Sequence, residues 1–205
     1  MKRFRFTLIA ICVVLLYLGW TDASLFLRNR APLTVTIAKL AREGAPREWL
    51  HVTGGRLDLE EAISTSGSVD VDALLVPLRP ASAGEKIPVL VETRDPRLME
   101  LFITYNFKQD SAFAKEDYLQ QHREEFHPSR DVTGMVVGGL VASGNRDKLM
   151  QLAKELKMDV DENVVFLSEG KEPPKFRGFI FLAVGLVGLG KVLLGGRKGG
   201  EGKRG

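Results

Sequence analysis

Two apolar segments near opposite ends of the chain constrain its architecture more than any other feature. Residues 4–20 read FRFTLIAICVVLLYLGW and residues 178–196 read GFIFLAVGLVGLGKVLLGG. A helix needs roughly 17–25 mostly apolar residues to cross a bilayer core, and both segments have about that length. The expected layout is therefore a first span within 1–20 and a domain at 21–177. A second span at 178–196 and a basic segment at 197–205 complete it. The intervening domain is long enough to bury a sizeable core, and no Pro/Gly/Ser-rich linker divides it.

Charge sets the expected orientation. Lys2, Arg3 and Arg5 flank the first segment, while Arg197, Lys198, Lys203 and Arg204 follow the second with Glu201 as the one acid among them. Basic flanks are retained on the cytoplasmic side, so both flanks are expected in the cytoplasm and the domain outside it, at the cell's inner (plasma) membrane. The net charge of +3 hides a division: between Arg5 and Lys191 there are 25 acidic residues against 21 basic. Nucleic-acid binding needs a clustered basic surface, so the domain is not expected to bind nucleic acid.

The first segment has a second reading. A basic start, an apolar run and the small residues Ala23 and Ser24 also suit a cleavable signal peptide. The length of the run and the aromatic pair Tyr17 and Trp20 fit a membrane anchor better. Lys191 in the second segment lies near the end of its helix, where its ammonium can snorkel to the headgroups. The glycines of 185–190 (GLVGLG) contain no i, i+4 pair, so the dimerisation motif is absent, though close helix packing is open to them. Cys12 is the single cysteine, which excludes a disulfide or a thiolate metal site in the domain.

Along the domain, residues 34–42 (TVTIAKLAR) combine a strand-like start with Ile37, Leu40 and Ala41 on a helical face. Residues 49–59 (WLHVTGGRLDL) alternate on either side of Gly54-Gly55, the pattern of a strand with a sharp bend. Residues 69–78 and 87–92 read as strands, with Pro77 and Pro88 expected at edges or strand starts. Asp95-Pro96 signals a helix start, followed by an apolar face of Leu98, Leu101 and Phe102. A polar helix is expected over 111–126, then a Gly-punctuated strand over 132–143. A helix capped by Asn145 should carry Leu149, Leu152, Ala153 and Leu156, and 163–167 should form the final strand. Short, bent strands with little βαβ alternation predict an α+β fold built on a small mixed OB-like barrel with inserted helices. The competing architecture is an open antiparallel sheet with helices packed on it.

In their order, the first span, WLHVTGGRLDL, LLVPLRP (74–80), VTGMVVGGLVASG (132–144) and VVFLSEGKEPP (164–174) resemble a group of bacterial two-span membrane proteins. That resemblance implies an OB-like extramembrane domain. It carries over no activity and no site residues.

The chemistry-bearing residues are scattered. His122, Glu125 and His127 (HREEFH) suggest ligands, but a helical metal pair needs histidines at i and i+4, and these are five apart with Pro128 next. His51 is the remaining histidine. Ser64, Ser66 and Ser68 (STSGS) lack the G-x-S-x-G elbow and read as a turn. Asp58, Glu60 and Glu61, and later Asp70 and Asp72, lack EF-hand spacing, and in DVD the acids read as the wet face of a strand. No catalytic residue, cofactor or metal is assigned. The expected function is a non-enzymatic, membrane-tethered interaction or assembly module whose partners are the lipid bilayer and other envelope proteins. The alternatives are a membrane-anchored hydrolase and a ligand-binding accessory subunit of a transporter.

Overall fold

The computed structural model describes residues 2–65, 71–80, 86–137, 150–151, 153–155 and 158–197. It divides into two compact units, residues 1–30 with 173–205 and residues 31–172.

The first unit is a helical hairpin of α1 (Lys2–Arg28) and α6 (Arg177–Arg197). Residues 5–28 of α1 contain an 18-residue stretch with a mean hydropathy of 1.9, and the 24-residue helix is long and apolar enough to cross a membrane. The helices run antiparallel: Arg5 meets Val192, Gly188 faces Cys12, and Arg177 meets Asp22. Gly178 is what lets them approach closely. A methyl group there would lie 2.5 Å from the Ala23 nitrogen, so only hydrogen fits. Gly178 and Gly185 are seven residues apart and both face α1, a spacing that keeps small residues on one stripe of a helix pair. The outward surface is apolar, with Val14, Tyr17 and Trp20 of α1 and Ile180, Val184 and Val187 of α6 all exposed.

The second unit is an α+β domain. Its elements are β1 (Leu33–Thr36), α2 (Ile37–Glu43), β2 (Trp49–Thr53), β3 (Gly55–Leu57), β4 (Ile63–Ser64), β5 (Leu74–Pro80), β6 (Ile87–Thr93), α3 (Pro96–Phe107), α4 (Ala112–Gln121), α5 (Arg123–Phe126), β7 (Val132–Val136) and β8 (Val160–Glu169). Among the described residues the strands form one mixed sheet in the order β1-β2-β7-β8-β6-β5-β3, with β4 also paired to β5. The pairs β1/β2 and β6/β8 are parallel and the others antiparallel.

The expected OB-like barrel is not formed, because the sheet is open. At Gly54 a φ of 72° bends the chain between β2 and β3. Two strands separated by one residue thus occupy the second and the last places in the order, so the sheet curls back strongly. Closure would need β3 to ladder with the segment before β7. Only an isolated bridge, Arg56 to Ser129, and bonds such as Leu57 N–H to the Pro128 carbonyl join them. The outer side of β2 is already taken by β1.

Strands β5, β6 and β8 are buried on both faces, which is why they read as continuous apolar runs. One face puts Val76, Val89, Val91 and Leu167 against α2, α3 and Phe126. The other puts Leu75, Leu90 and Phe166 against Ala153, in a helical stretch at 150–151 and 153–155. Of the helix expected after Asn145, positions 149, 152 and 156 lie outside the described residues.

Pro77 sits inside its strand, against expectation, whereas Pro88 lies at the start of β6, as expected. Pro77 lies mid-strand in β5, between the residues paired to β4 (Leu74, Leu75) and those paired to β3 (Leu78 to Pro80). Its carbonyl accepts from Asp58 N–H on that side, so its missing N–H falls in the gap between two short partners and breaks no ladder. Pro88 sits where the β6/β8 register shifts between Ile87 and Val89, a position proline tolerates. Of the strand expected over 69–78, positions 69–70 lie outside the described residues, and β5 begins at Leu74. Thr65 bonds the Ala73 carbonyl through both its N–H and its hydroxyl. Of the Gly-punctuated strand expected over 132–143, positions 138–143 lie outside the described residues; within β7, Gly134 marks a close approach, since a methyl there would lie 2.2 Å from the Ser168 carbonyl oxygen.

Candidate functional site

The three histidines are held by three separate sets of partners. His51 on β2 stands directly opposite Thr133 on β7, and its Nδ1 lies 2.7 Å from the threonine hydroxyl. Its Nε2 is 3.8 Å from Asp131, whose carboxylate also accepts the Gly54 N–H. This hydroxyl–imidazole–carboxylate line has the residue types of a nucleophile, base and orienter. Its geometry does not serve that role. The carboxylate lies beyond hydrogen-bond distance of the imidazole, and Thr133 is in the middle of a paired strand whose own carbonyl accepts from Gly170 N–H. A polar cross-strand pair is what this contact provides.

His122 and Glu125 do meet, at 2.7 Å, but within one helical turn. The expected single helix over 111–126 is broken at His122, whose φ of −111° and ψ of 18° separate α4 from α5. The hydrogen bond from His122, joined by two from Arg97 on α3, holds the Glu125 carboxyl below its ordinary range. His127 turns elsewhere. Its Nε2 is 2.6 Å from Glu60 and its Nδ1 is 3.6 Å from Asp58, whose Oδ1 is buried. The two histidines of HREEFH thus address different carboxylates. Among the described residues no group of three His, Cys, Asp or Glu side chains converges to hold a metal ion.

The remaining candidates separate further. Glu61 pairs with Arg79. Ser64 belongs to β4, Asp72 is exposed in the turn before β5, and residues 66–70, with Ser66, Ser68 and Asp70, lie outside the described residues. Lys191 is exposed on α6 and Cys12 is buried in the hairpin. A cleft of about 440 Å³ lies between the end of α2 and strands β7 and β8, lined by residues 41–45, 136–137 and 163–166. It gathers none of these residues.

A polar network at the carboxyl ends of β6 and β8 escaped sequence reasoning. Arg130 donates from Nη1 to Asp95 at 3.0 Å and from Nη2 to both Glu169 oxygens at 2.7 Å. Ser168, almost fully buried, donates to Glu92 on the neighbouring strand at 2.5 Å. Burial opposes the charge on Asp95, but bonds from Arg130 and from the N–H groups of Arg97 and Leu98 outweigh it and lower its pKa. Every charge in this network answers an opposite charge or a hydroxyl, which suits a fastening between α3, β7 and β8. Asp95 alone carried a signal in the sequence, as a helix cap.

No family model, no curated protein and no solved structure matches the chain. The functional reading accordingly stands on the geometry.

Proposed function

We propose that the chain is a membrane-tethered interaction module of the cell envelope, with no catalytic centre. In this reading α1 and α6 are both lipid-embedded, both basic flanks are cytoplasmic, and the domain between them is extracytoplasmic at the inner membrane. The apolar outward surface of the hairpin supports the tether. The observation that carries the interaction role is α4. This helix has no buried residue, and Phe113 in its first turn is 84% exposed, with Phe107 at the end of α3 49% exposed. Two large aromatic side chains flanking one short connection are costly to leave in water and well suited to anchoring a partner.

A photoreactive phenylalanine analogue replacing Phe113 tests this in intact cells. Capture of a discrete envelope protein, lost when Phe107 is changed to Ser, is the expected result. His51→Ala, His122→Ala and His127→Ala variants should capture the same species at normal abundance. If one histidine change abolished a cellular phenotype while capture and abundance stayed normal, the hydrolase reading would replace this one.

A further inference from the structure

The antiparallel pairing of α1 and α6 brings the basic start of α1 level with Lys191 near the end of α6. Arg5 donates from Nη2 to the Val192 carbonyl oxygen at 2.9 Å, which holds its guanidinium at the level of Lys191. Lys191 is exposed. Lys2 and Arg3 lie in the first turn of α1, Arg197 ends α6, and Lys198, Lys203 and Arg204 follow in sequence. Acid is scarce here. In residues 1–30 and 173–205 the only carboxylate side chains are Asp22 and Glu201, and Asp22 is bonded to Arg177 at the other end of the hairpin. Among the described residues of this unit, the positive charge at the Arg5 end therefore has no carboxylate side chain beside it.

We propose that this end of the hairpin binds the phosphate of anionic phospholipid headgroups, with Arg5 and Lys191 as the contacts nearest the hydrocarbon. The proposal rests on the lipid-embedded reading of the hairpin and adds the lipid class it selects. Depth supports it. Arg5 and Asp22 are about 26 Å apart along α1 at helical rise, close to the roughly 30 Å of a hydrocarbon core. Both ends of the hairpin thus fall at headgroup level, within reach of a snorkelling side chain. The bond to Val192 uses one of the five N–H donors of Arg5, so the others remain to fork onto phosphate oxygens, and Lys191 adds a second cation at the same level of the hairpin. Each basic residue near an anionic membrane surface strengthens attraction by about fivefold.

The test uses the full chain in nanodiscs containing equal phosphatidylglycerol and phosphatidylcholine. Native mass spectrometry then reads the lipids retained after release from the disc. The wild type should retain phosphatidylglycerol in preference, and Lys191→Gln should lower that preference about fivefold. Arg5→Gln should do the same, while Arg5→Lys, which keeps the charge, should preserve it. Because Arg5→Gln also removes a helix–helix bond, Lys191→Gln and Arg5→Lys decide the matter. Equal retention of both lipids by the wild type, or unchanged preference in the doubly substituted chain, overturns the proposal. Displacement of the lipid by soluble glycerol phosphate, or by an oligonucleotide at equal charge concentration, also overturns the lipid assignment. Alkaline carbonate extraction separates the two levels. Release from membranes sinks the tether itself, whereas retention without lipid preference sinks the headgroup site alone.

Discussion

Asp95 joins two jobs in one carboxylate: it caps α3 through the N–H groups of Arg97 and Leu98 and accepts a charged bond from Arg130. Its folded pKa lies below the unfolded value, so the native state binds fewer protons in that window. The stability it contributes is present above the unfolded carboxyl pKa and is lost as pH falls through the lower folded one. Glu125 acts in the same direction. Asp95→Asn should therefore flatten the acid limb of a stability–pH curve measured by urea unfolding, with little change in slope near neutrality. At neutral pH the substitution should cost about 1 kcal/mol or more, since Asn can still cap the helix but leaves Arg130 less well matched. An acid limb identical to wild type would show that the network is not formed. The cap was legible in the sequence because Asp95 acts on its immediate neighbours. The Arg130 partners were not, because they lie 35 and 39 residues away and only the fold makes them adjacent.

Elements whose signals are local came through best. Residues 34–42 looked like both a strand and a helix, and they are both: β1 ends at Thr36, which caps α2 through its hydroxyl and the Lys39 N–H. The capped start of α3 and its buried face of Leu98, Leu101 and Phe102 follow the sequence pattern. Position within a sheet is another matter. Pro77 suggested an edge because proline cannot join a ladder, yet the sheet offers a gap between β3 and β4 that no local pattern encodes. The polar helix shows the same limit, since its periodicity passes smoothly through His122 where the backbone breaks. Without buried residues, α4 should open locally at little cost. Amide exchange is expected to be much faster in α4 than in β6 and β8, and Ser111→Ala, which removes its cap, should speed α4 further while leaving the global unfolding midpoint almost unchanged. Equal protection across α4 and the central strands would mean that the helix is part of the core.

At the scale of the whole molecule, the apolar hairpin and the domain are each compact by themselves. Because the domain carries its own two-sided core, residues 31–172 expressed alone should remain soluble and unfold in a single transition by circular dichroism. A broad, non-cooperative melt would show that the core depends on the rest of the chain. The mixed α+β class and the bend at Gly54-Gly55 were legible because glycine and apolar runs act locally. Closure was not, because it depends on which edge meets which, and β1 and an irregular segment take the places a closing ladder would need. The parallel pairing of β6 with β8 has a further consequence, in time rather than space. Glu92 and Ser168 face each other across 76 residues of chain. At synthesis rates of about 5–20 residues per second, β6 must wait about 4–15 s for its partner. Throughout that interval β5 and β6, apolar on both faces, have no neighbour on the β8 side. Among the described strands β8 is made last and completes the core just before α6 begins, so the nascent domain stays open to mispairing for about half of its synthesis.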